Sequence, residues 1–262
     1  MKLTAVTSKP EIRVWFSCGA ASAVAAYETL RRFGSTHRVR IINNPIAEEH
    51  PDNWRFLLDC QQFFGHRIEF AVNEKYPRCS ATEIFDEAKY MSGVHGAPCT
   101  GKLKRDARTQ WEDRNTVDHG RDGNMVLGFT ADVQKRHDMF VLTERNNVIP
   151  VLIEAGYTKQ DCINIVASWG IALPAMYSLG FPNANCIGCV KATSPTYWNH
   201  VRKHFPVVFW NLAMQSSRLG VRLVRYKGER IFLHQLPEDA VGRPLASLVM
   251  PECGIFCEEY QR

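Results

Sequence analysis

The feature that most constrains this chain is a short apolar run followed at once by small residues and an alanine-rich stretch. Residues 14–16 are typical of a buried strand, residues 17–22 read Ser-Cys-Gly-Ala-Ala-Ser, and residues 23–30 favour a helix. Such a turn leaves the first N–H groups of the helix unpaired at the positive end of its dipole. Because the loop side chains are small, an anion can approach this backbone, and Ser17 and Ser22 can add hydroxyl hydrogen bonds. The stretch predicts a phosphate-binding turn, with tight packing of helix on strand as the alternative.

Strand and helix patterns alternate after this turn. Further strands are predicted at residues 39–42, 67–72 and 125–129, with a possible edge strand at 149–153. Helices are predicted at residues 52–62 and 101–114, and from Ser80, Gln134 and Thr158. Strands separated by helices indicate right-handed crossovers and a parallel sheet, so we expect an α/β fold with a Rossmann-like, doubly wound, mainly parallel sheet. Ligands bind such sheets at the carboxyl ends of the strands, here residues 17–22, 43–44 and 128–132.

The pattern changes after residue 173, where Pro and Gly interrupt the chain. Ser194 followed by Pro195 is typical of a helix start, and Pro206 separates two predicted helices. Two strand-like segments on either side of Lys227-Gly228 predict a β-hairpin. We therefore expect an α/β core over residues 1–173 and a helical and hairpin extension over residues 174–262.

Composition limits the class of protein. The 262 residues are 45% hydrophobic and 23% charged, with no apolar run long enough for a transmembrane helix and no secretory signal. Nine cysteines without an export signal argue against a disulfide framework. The sequence therefore predicts a cytoplasmic protein without a membrane partner, and its net charge of +5 suits an anionic ligand.

Several polar residues carry candidate chemistry. Asn43 and Asn44 offer donors and acceptors suited to an adenine or a ribose, or else form a turn before Pro45. Glu49 and Asp52 can hold Mg²⁺ or orient a nucleotide, with helix capping as the alternative for Asp52. Positive charge near the start of the predicted basic helix opposes the helix dipole, which suggests an external anion bound there (Lys102, Lys104, Arg105 and Arg108).

A Cys-x-x-Cys pair with a central glycine is the sharpest local signal. Cys186 and Cys189 can direct two thiolates at one metal or cluster. A zinc site would need two more ligands, for which Cys99, His200 and His204 are the nearest candidates. A redox dithiol and plain structural thiols are the other interpretations.

Five ordered blocks resemble the PP-loop superfamily, and within it the phosphoadenosine phosphosulfate (PAPS) reductase-like family with its phage-type members. The loop Ser17-Cys-Gly-Ala-Ala-Ser22 resembles the S-x-G-x-x-S form of the PP-loop. The other blocks begin at Glu49, Cys99, Leu127 and Asn185, so the resemblance spans roughly residues 12–205. It implies an adenine nucleotide α-hydrolase-like fold and a site for ATP, PAPS or adenosine phosphosulfate. The implied nucleotide-binding residues are Ser17, Cys18, Gly19, Ala20, Ala21, Ser22, Asn43, Asn44, Gly128, Phe129, Asp132 and Arg136.

The same resemblance implies catalytic and cluster residues. Lys102, Lys104 and Arg136 would hold the sulfate, and the block of Asp132 and Arg136 would close over the phosphates, although the family more often has Glu at the position of Asp132. Iron–sulfur members of the family use a cysteine of the Cys99 block with the Cys-x-x-Cys pair. The resemblance therefore implies a [4Fe–4S] cluster on Cys99, Cys186 and Cys189 with one iron left open.

A C-terminal block completes the resemblance. Residues 252–257, Glu-Cys-Gly-Ile-Phe-Cys, are similar to the E-C-G-[IL]-H tail whose cysteine attacks the sulfur of a sulfonucleotide. Cys253 would be that nucleophile, but Phe256 replaces the His and a second thiol, Cys257, follows. Cys253 could instead serve as a fourth ligand or pair with Cys257.

Three functions follow as expectations. The first is a PAPS reductase-like enzyme that transfers or reduces sulfur, using a thiol as electron or sulfur donor. The second is an ATP pyrophosphatase that uses Mg-ATP to adenylate an acceptor, such as a nucleic acid, for thiolation. The third is a non-catalytic nucleotide-binding module. The loop sequence is compatible with this interpretation, because Cys18, Ala20 and Ala21 replace the usual Gly, Lys and Asp. A homodimer is compatible with each.

Overall fold

The computed structural model describes residues 9–93, 96–116 and 123–245. Its strands are β1 (Glu11–Phe16), β2 (Arg38–Asn43), β3 (Ile68–Phe70), β4 (Asn124–Val126), β5 (Val224–Tyr226) and β6 (Glu229–Ile231). The α-helices are α1 (Ala20–Phe33), α2 (Asp52–Phe64), α3 (Ala81–Ala88), α4 (Ala107–Asn115), α5 (Gln134–Thr143), α6 (Val151–Glu154), α7 (Lys159–Ser168), α8 (Ala175–Ser178), α9 (Pro195–His204) and α10 (Pro206–Arg218). A π-helical segment, Thr100–Asp106, runs directly into α4, and 3₁₀ turns lie at Ala131–Val133 and Leu233–Gln235.

The central sheet has four parallel strands in the order β3-β2-β1-β4. β1 pairs with β2 from Glu11 opposite Arg38 to Phe16 opposite Asn43, and with β4 on its other side. Helices flank the sheet. The predicted α/β class with a parallel sheet is confirmed, and the arrangement is compatible with a Rossmann-like fold.

The first strand is the buried centre of this sheet. Ile12, Val14 and Phe16 are almost fully buried, because β1 has a strand on each side and helices on the sheet faces. The apolar run that predicted the strand is therefore accounted for by burial on both faces, as is usual for parallel sheets.

The prediction of an edge strand at residues 149–153 is wrong. Pairing stops at Val148, which forms an isolated parallel bridge with Met125. Ile149 still donates its N–H to the Met125 carbonyl, and from Val151 the chain turns into the short helix α6. Pro150, with no N–H for a ladder, stands at the junction, and a proline of fixed φ suits a helix start.

A buried ion pair lies beside the central strand. The carboxylate of Glu112 is fully buried and accepts two hydrogen bonds from the guanidinium of Arg145, at 2.9 and 2.6 Å. The guanidinium of Arg13, on β1, lies 3.8 Å from the same carboxylate. The charge buried on Glu112 is thus compensated by two arginines, as a buried carboxylate requires.

The chain divides into two compact units, each made of separate stretches. Among the described residues, the first unit draws on the ranges Met1–Asn43, Trp54–Ala71 and Glu112–Leu173, and contains the parallel sheet. The second draws on Asn44–Asn53, Val72–Trp111 and Pro174–Arg262. The change at residue 173 is thus a unit boundary, but two earlier stretches belong to the second unit as well.

The second unit has its own hydrophobic core. Helices α9 and α10 meet near Pro206 and bury Trp198, Val201 and Phe209. The antiparallel pair β5–β6 forms the expected hairpin around Lys227-Gly228, with strands shorter than predicted.

Candidate functional site

The loop after β1 has a backbone conformation unusual for its residues. Cys18 lies in the left-handed region, at φ +57°, where a residue other than glycine is strained. The side-chain amide of Asn43, at the end of β2, donates to the Phe16 carbonyl at 2.8 Å and contacts the Cys18 sulfur at 3.5 Å. Asn43 therefore stabilises the loop through its side chain, a role that the sequence did not suggest for it.

Ser22 closes the loop upon itself. Its hydroxyl donates to the Gly19 carbonyl at 2.9 Å and accepts from the N–H groups of Ser17 and Gly19, at 3.1 and 3.3 Å. Ser22 is 3% exposed, whereas Ser17 is exposed. The hydroxyl expected to contact phosphate at Ser22 is thus used within the loop, and the exposed hydroxyl belongs to Ser17.

Gly128, just after β4, lies against the same turn. A Cβ at this position would come within 3.0 Å of the Ser22 backbone nitrogen and 3.2 Å of the Ala21 carbonyl carbon. The chain leaves β1 toward β2 on one side and reaches β4 on the other, so the two loops meet where the strand order reverses. Such a switch point is the usual ligand position in open parallel sheets.

The segment after Gly128 contributes an aromatic and a cationic group. The guanidinium of Arg136 lies 5.8 Å from the centre of the Phe129 ring, a cation–π distance. Asp132 accepts a hydrogen bond from the Lys159 N–H at 3.1 Å and so caps the start of α7. The structure therefore gives Asp132 a structural contact and places Arg136 over Phe129, the residue after Gly128.

Three further candidates lie in the second unit. Asn44 is assigned there, while Asn43 belongs to the first unit. Glu49 accepts a hydrogen bond from Asn53 at 3.0 Å, and burial raises the pKa of Glu49 against the opposing effects of the Lys104 charge and that hydrogen bond. Asp52 accepts from the Ala175 N–H at 2.8 Å, at the start of α8, whereas the expected capping concerned its own helix α2.

A cavity in the second unit brings together the three cysteines predicted to bind a cluster. Its volume is about 410 Å³, and its walls are formed largely by α3, α10 and the Cys-x-x-Cys loop. Cys99, Cys186 and Cys189 all line it, although Cys99 comes from a distant block of the sequence. We call this the thiol cavity.

The Cys-x-x-Cys loop is held by its backbone. Ile187 donates its N–H to the Glu48 carbonyl at 2.9 Å, and Cys189 donates its N–H to the Tyr197 hydroxyl oxygen at 2.8 Å. Gly188 has φ +71°, and a Cβ there would lie 2.5 Å from a methyl carbon of Leu212. The loop conformation thus requires glycine at this position.

Tyr197 and Glu48 are functional candidates that the sequence did not reveal. Tyr197 is 2% exposed, and burial, followed by the neighbouring Cys189, raises the pKa of its hydroxyl. The Glu48 carboxylate lines the thiol cavity and accepts from the N–H groups of Ala81 and Thr82, at 2.8 and 3.1 Å. No motif marks either residue. The Glu48 contacts span 33 and 34 residues, and the Tyr197 contact depends on the backbone path of the Cys-x-x-Cys loop.

The donor set of the thiol cavity fits an iron–sulfur cluster. Three thiols are the ligand type that such clusters take. Within the described part of the chain, no three or more His, Cys, Asp or Glu residues form a group that could hold a metal ion. Thiolates that bind different irons of a cluster stand farther apart than ligands of one ion.

The alternative zinc ligands are placed elsewhere. His200 has its Nε2 2.6 Å from the Leu179 carbonyl, and the His204 ring lies 4.4 Å from the His200 ring between centres, tilted by 57°. Neither lines the thiol cavity. Cys253 and Cys257 lie outside the described residues.

No family model matches the chain, and no curated protein matches it either. Among the described residues, no helix is both long enough and apolar enough to cross a membrane.

Proposed function

We propose that this chain is a PAPS reductase-like enzyme of the PP-loop superfamily. It would bind an adenine sulfonucleotide at the loop after β1 and transfer or reduce its sulfur, with an iron–sulfur cluster in the thiol cavity. The observation that carries the proposal is that Cys99 and the pair Cys186 and Cys189 line one cavity despite their separation in sequence.

The first unit would bind the nucleotide. The strained loop at Cys18, the close approach of Gly128 and the switch-point position together suit backbone recognition of phosphate. The exposed Ser17 hydroxyl and the Arg136 guanidinium would add charge-assisted hydrogen bonds to the phosphate oxygens. Because the Ser22 hydroxyl and Asn43 are used to stabilise the loop, they would shape the site rather than contact the nucleotide.

The second unit would hold the iron–sulfur cluster. The thiolates of Cys99, Cys186 and Cys189 would hold a [4Fe–4S] cluster. Such a cluster, when bound by three thiolates, supplies an iron with an open coordination position. Tyr197 and Glu48 would keep the Cys-x-x-Cys backbone in place, and the apolar walls of the cavity would limit access of water.

The reductive step would use Cys253 as nucleophile. Its thiolate attacks the sulfur of the sulfonucleotide, the S–O bond to the phosphate breaks, and the nucleotide leaves with that oxygen. The resulting thiosulfonate is then attacked by an external thiol, which releases sulfite and leaves a disulfide on Cys253. A second external thiol restores the cysteine.

A second candidate function is ATP pyrophosphatase activity coupled to thiolation. The three cysteines that line the cavity among the described residues favour this function. A cluster bound by three thiolates would have one iron with an open position, which could bind the sulfur to be transferred. Mg-ATP would then adenylate an oxygen of the acceptor, such as a nucleic acid, with release of pyrophosphate, and sulfur from a donor would displace AMP.

Iron content tests the cluster. Protein purified without oxygen should contain iron and sulfide, and Cys189→Ala should lose both. Cys60→Ala is the matched control, because burial raises the pKa of Cys60 to about 12 and so keeps it a thiol. Iron that persists in Cys189→Ala at the control level would refute the cluster assignment.

Thermal stabilisation by ligands tests the reaction. A ligand that binds only the folded chain must raise the melting temperature. We expect PAPS or adenosine phosphosulfate to do so, and Arg136→Ala to weaken that binding by about 1.5–3 kcal/mol, the value of a hydrogen bond to a charged group. Stabilisation by Mg-ATP alone would favour the pyrophosphatase, and no stabilisation by any nucleotide would favour the non-catalytic module.

A further inference from the structure

The β5–β6 hairpin concentrates positive charge on the surface of the second unit. Residues 221–234 contain four basic side chains and one acidic side chain, Glu229, which leaves a formal charge of +3 in a chain whose total is +5. Three of the basic side chains, Arg222, Arg225 and Lys227, are exposed. Such a local excess of positive charge attracts an anionic partner.

Two of the basic side chains are direct cross-strand neighbours. Arg225 on β5 lies opposite Arg230 on β6 in the antiparallel register, so both side chains lie on the same face of the hairpin. Like charges in this position destabilise a strand pair. Arg230 donates a hydrogen bond to the Leu223 carbonyl at 3.1 Å, an acceptor that carries no full charge. An anion bound across the two guanidinium groups would remove the repulsion.

The exposed arginines of the hairpin differ from another exposed arginine of the same unit. The side chain of Arg78 is 76% exposed, and its guanidinium lies 2.7 Å from the carboxylate of Glu83. Within the described part of the chain, neither Arg222 nor Arg225 forms an ion pair with a carboxylate. Their charges are thus available to a partner outside the chain.

Aromatic rings lie beside these charges. The Arg222 guanidinium is 5.3 Å from the centre of the Phe232 ring, and the rings of Phe232 and His234 are nearly parallel, at 10°, with centres 5.6 Å apart. His234 is exposed, and its Nδ1 lies 2.9 Å from the hydroxyl of Ser217 on α10, which orients the ring. Aromatic rings and guanidinium planes are the surfaces on which unpaired bases stack.

Arginines suited to phosphate beside an exposed ring favour a nucleic acid over other polyanions. We infer that the β5–β6 hairpin binds a single-stranded nucleic acid, with Arg225 and Arg230 on its phosphates and His234 stacked on a base. Arginine binds phosphate through parallel N–H groups, which suits this role. A lipid headgroup or a run of acidic side chains would use the charges alone and would leave the rings without a partner.

The inference does not depend on the sulfonucleotide proposed for the first unit. Helix α10, whose Ser217 contacts His234, also forms part of the wall of the thiol cavity through Leu212 and Gln215. A bound strand would therefore lie on the same unit as the proposed cluster. This placement suits the second candidate function, in which a nucleic acid is the acceptor.

Fluorescence anisotropy of a labelled single-stranded oligonucleotide, at several salt concentrations, tests the inference. The variants are Arg225→Gln, Arg225→Gln with Arg230→Gln, and His234→Ala. The control combines Arg31→Gln with Arg78→Gln, which removes the same total charge from two exposed arginines that already pair with glutamates. An unlabelled duplex of the same sequence, phosphatidylserine vesicles and polyglutamate serve as competitors.

We expect the single strand to bind more tightly than each competitor. The double variant of Arg225 and Arg230 should bind it at least about tenfold more weakly, as loss of charge-assisted contacts implies. The slope of log affinity against log salt should fall by about 1.4, since each phosphate contact to a single strand contributes about 0.7. His234→Ala should weaken binding of the single strand more than that of the duplex. The control should keep the wild-type affinity and slope.

Each outcome decides the inference. An equal loss of affinity in the control would show that only net charge matters and overturns it, as does tighter binding of the duplex, the vesicles or polyglutamate. If the double variant does not fold, as judged by its melting curve, the exposed Arg225→Gln decides through about half the change in slope. Wild-type protein that binds the oligonucleotide but no sulfonucleotide would refute the proposed reductase and leave this inference intact.

Discussion

Replacing Gly128 with alanine tests the geometry of the candidate nucleotide loop most directly. The new Cβ would lie 3.0 Å from the backbone nitrogen of Ser22, 3.2 Å from the Ala21 carbonyl carbon and 3.3 Å from the Ser22 Cα. All three atoms are backbone atoms at the start of α1, so no flexible side chain can move aside. The loop or the end of β4 must therefore shift by a few tenths of an ångström.

The size of the effect follows from this crowding. Overpacking of a close-packed interior costs about 1–3 kcal/mol, because the backbone must move. The displaced turn includes the Ser22 N–H, one of the groups proposed to face phosphate. We therefore expect Gly128→Ala to lower the free energy of unfolding by that amount and to weaken nucleotide binding as well.

Urea unfolding would measure the stability of the variant, and isothermal titration calorimetry its nucleotide affinity. Gly101→Ala is the matched control, since the nearest atom to its Cβ would be the end of the Arg105 side chain at 3.4 Å. Alanine is also favoured over glycine in helices, so the control should be unchanged or slightly more stable. If Gly128→Ala behaves like the control in both assays, the loop is not packed on Gly128 as described.

Three further changes test individual contacts. Burial raises the pKa of Glu49 above its ordinary value of 4.5, so its contribution to stability is present below that pH and is lost as the pH rises through the raised pKa. Glu49→Gln should therefore gain stability relative to wild type between pH 4.5 and neutrality, whereas parallel pH curves in urea unfolding would contradict this. Glu112→Gln removes the charge from a buried ion pair and should cost about 3–5 kcal/mol in urea unfolding, while Lys75→Gln, at an exposed pair, should cost nothing measurable. Tyr197→Phe leaves the Cys189 N–H without its acceptor and should cost about 1–3 kcal/mol in the same assay, so an unchanged midpoint would argue against that contact.

Much of the fold could be predicted because its signals are local. The apolar run of β1, the capping side chain of Ser80 at α3 and the Ser194-Pro195 start of α9 all lie where the pattern predicted them. The edge strand failed because a short apolar run around Pro150 fits either a strand or a helix. Only the pairing with Met125, which consists of a single residue pair at Val148, distinguishes a strand from a helix here.

The sequence predicted candidate site residues but not their orientations. Cys99, Cys186 and Cys189 line one cavity, and their binding of a cluster stays a prediction. Nothing in the sequence could show that the Ser22 hydroxyl turns inward or that Tyr197 supports the Cys-x-x-Cys backbone. These contacts span only three and eight residues, but they depend on the exact backbone path of each loop, which short motifs do not encode.

The way the two units share the chain constrains how the protein can be made and dissected. The chain changes unit between residues 43 and 44, 53 and 54, 71 and 72, 111 and 112, and 173 and 174. On a translating ribosome the first unit cannot complete its sheet until β4 has emerged, and by then much of the second unit has been synthesised without its remaining helices. For the same reason no single cut separates the two units, and a fragment ending at residue 173 would carry two stretches, 44–53 and 72–111, without the rest of their unit.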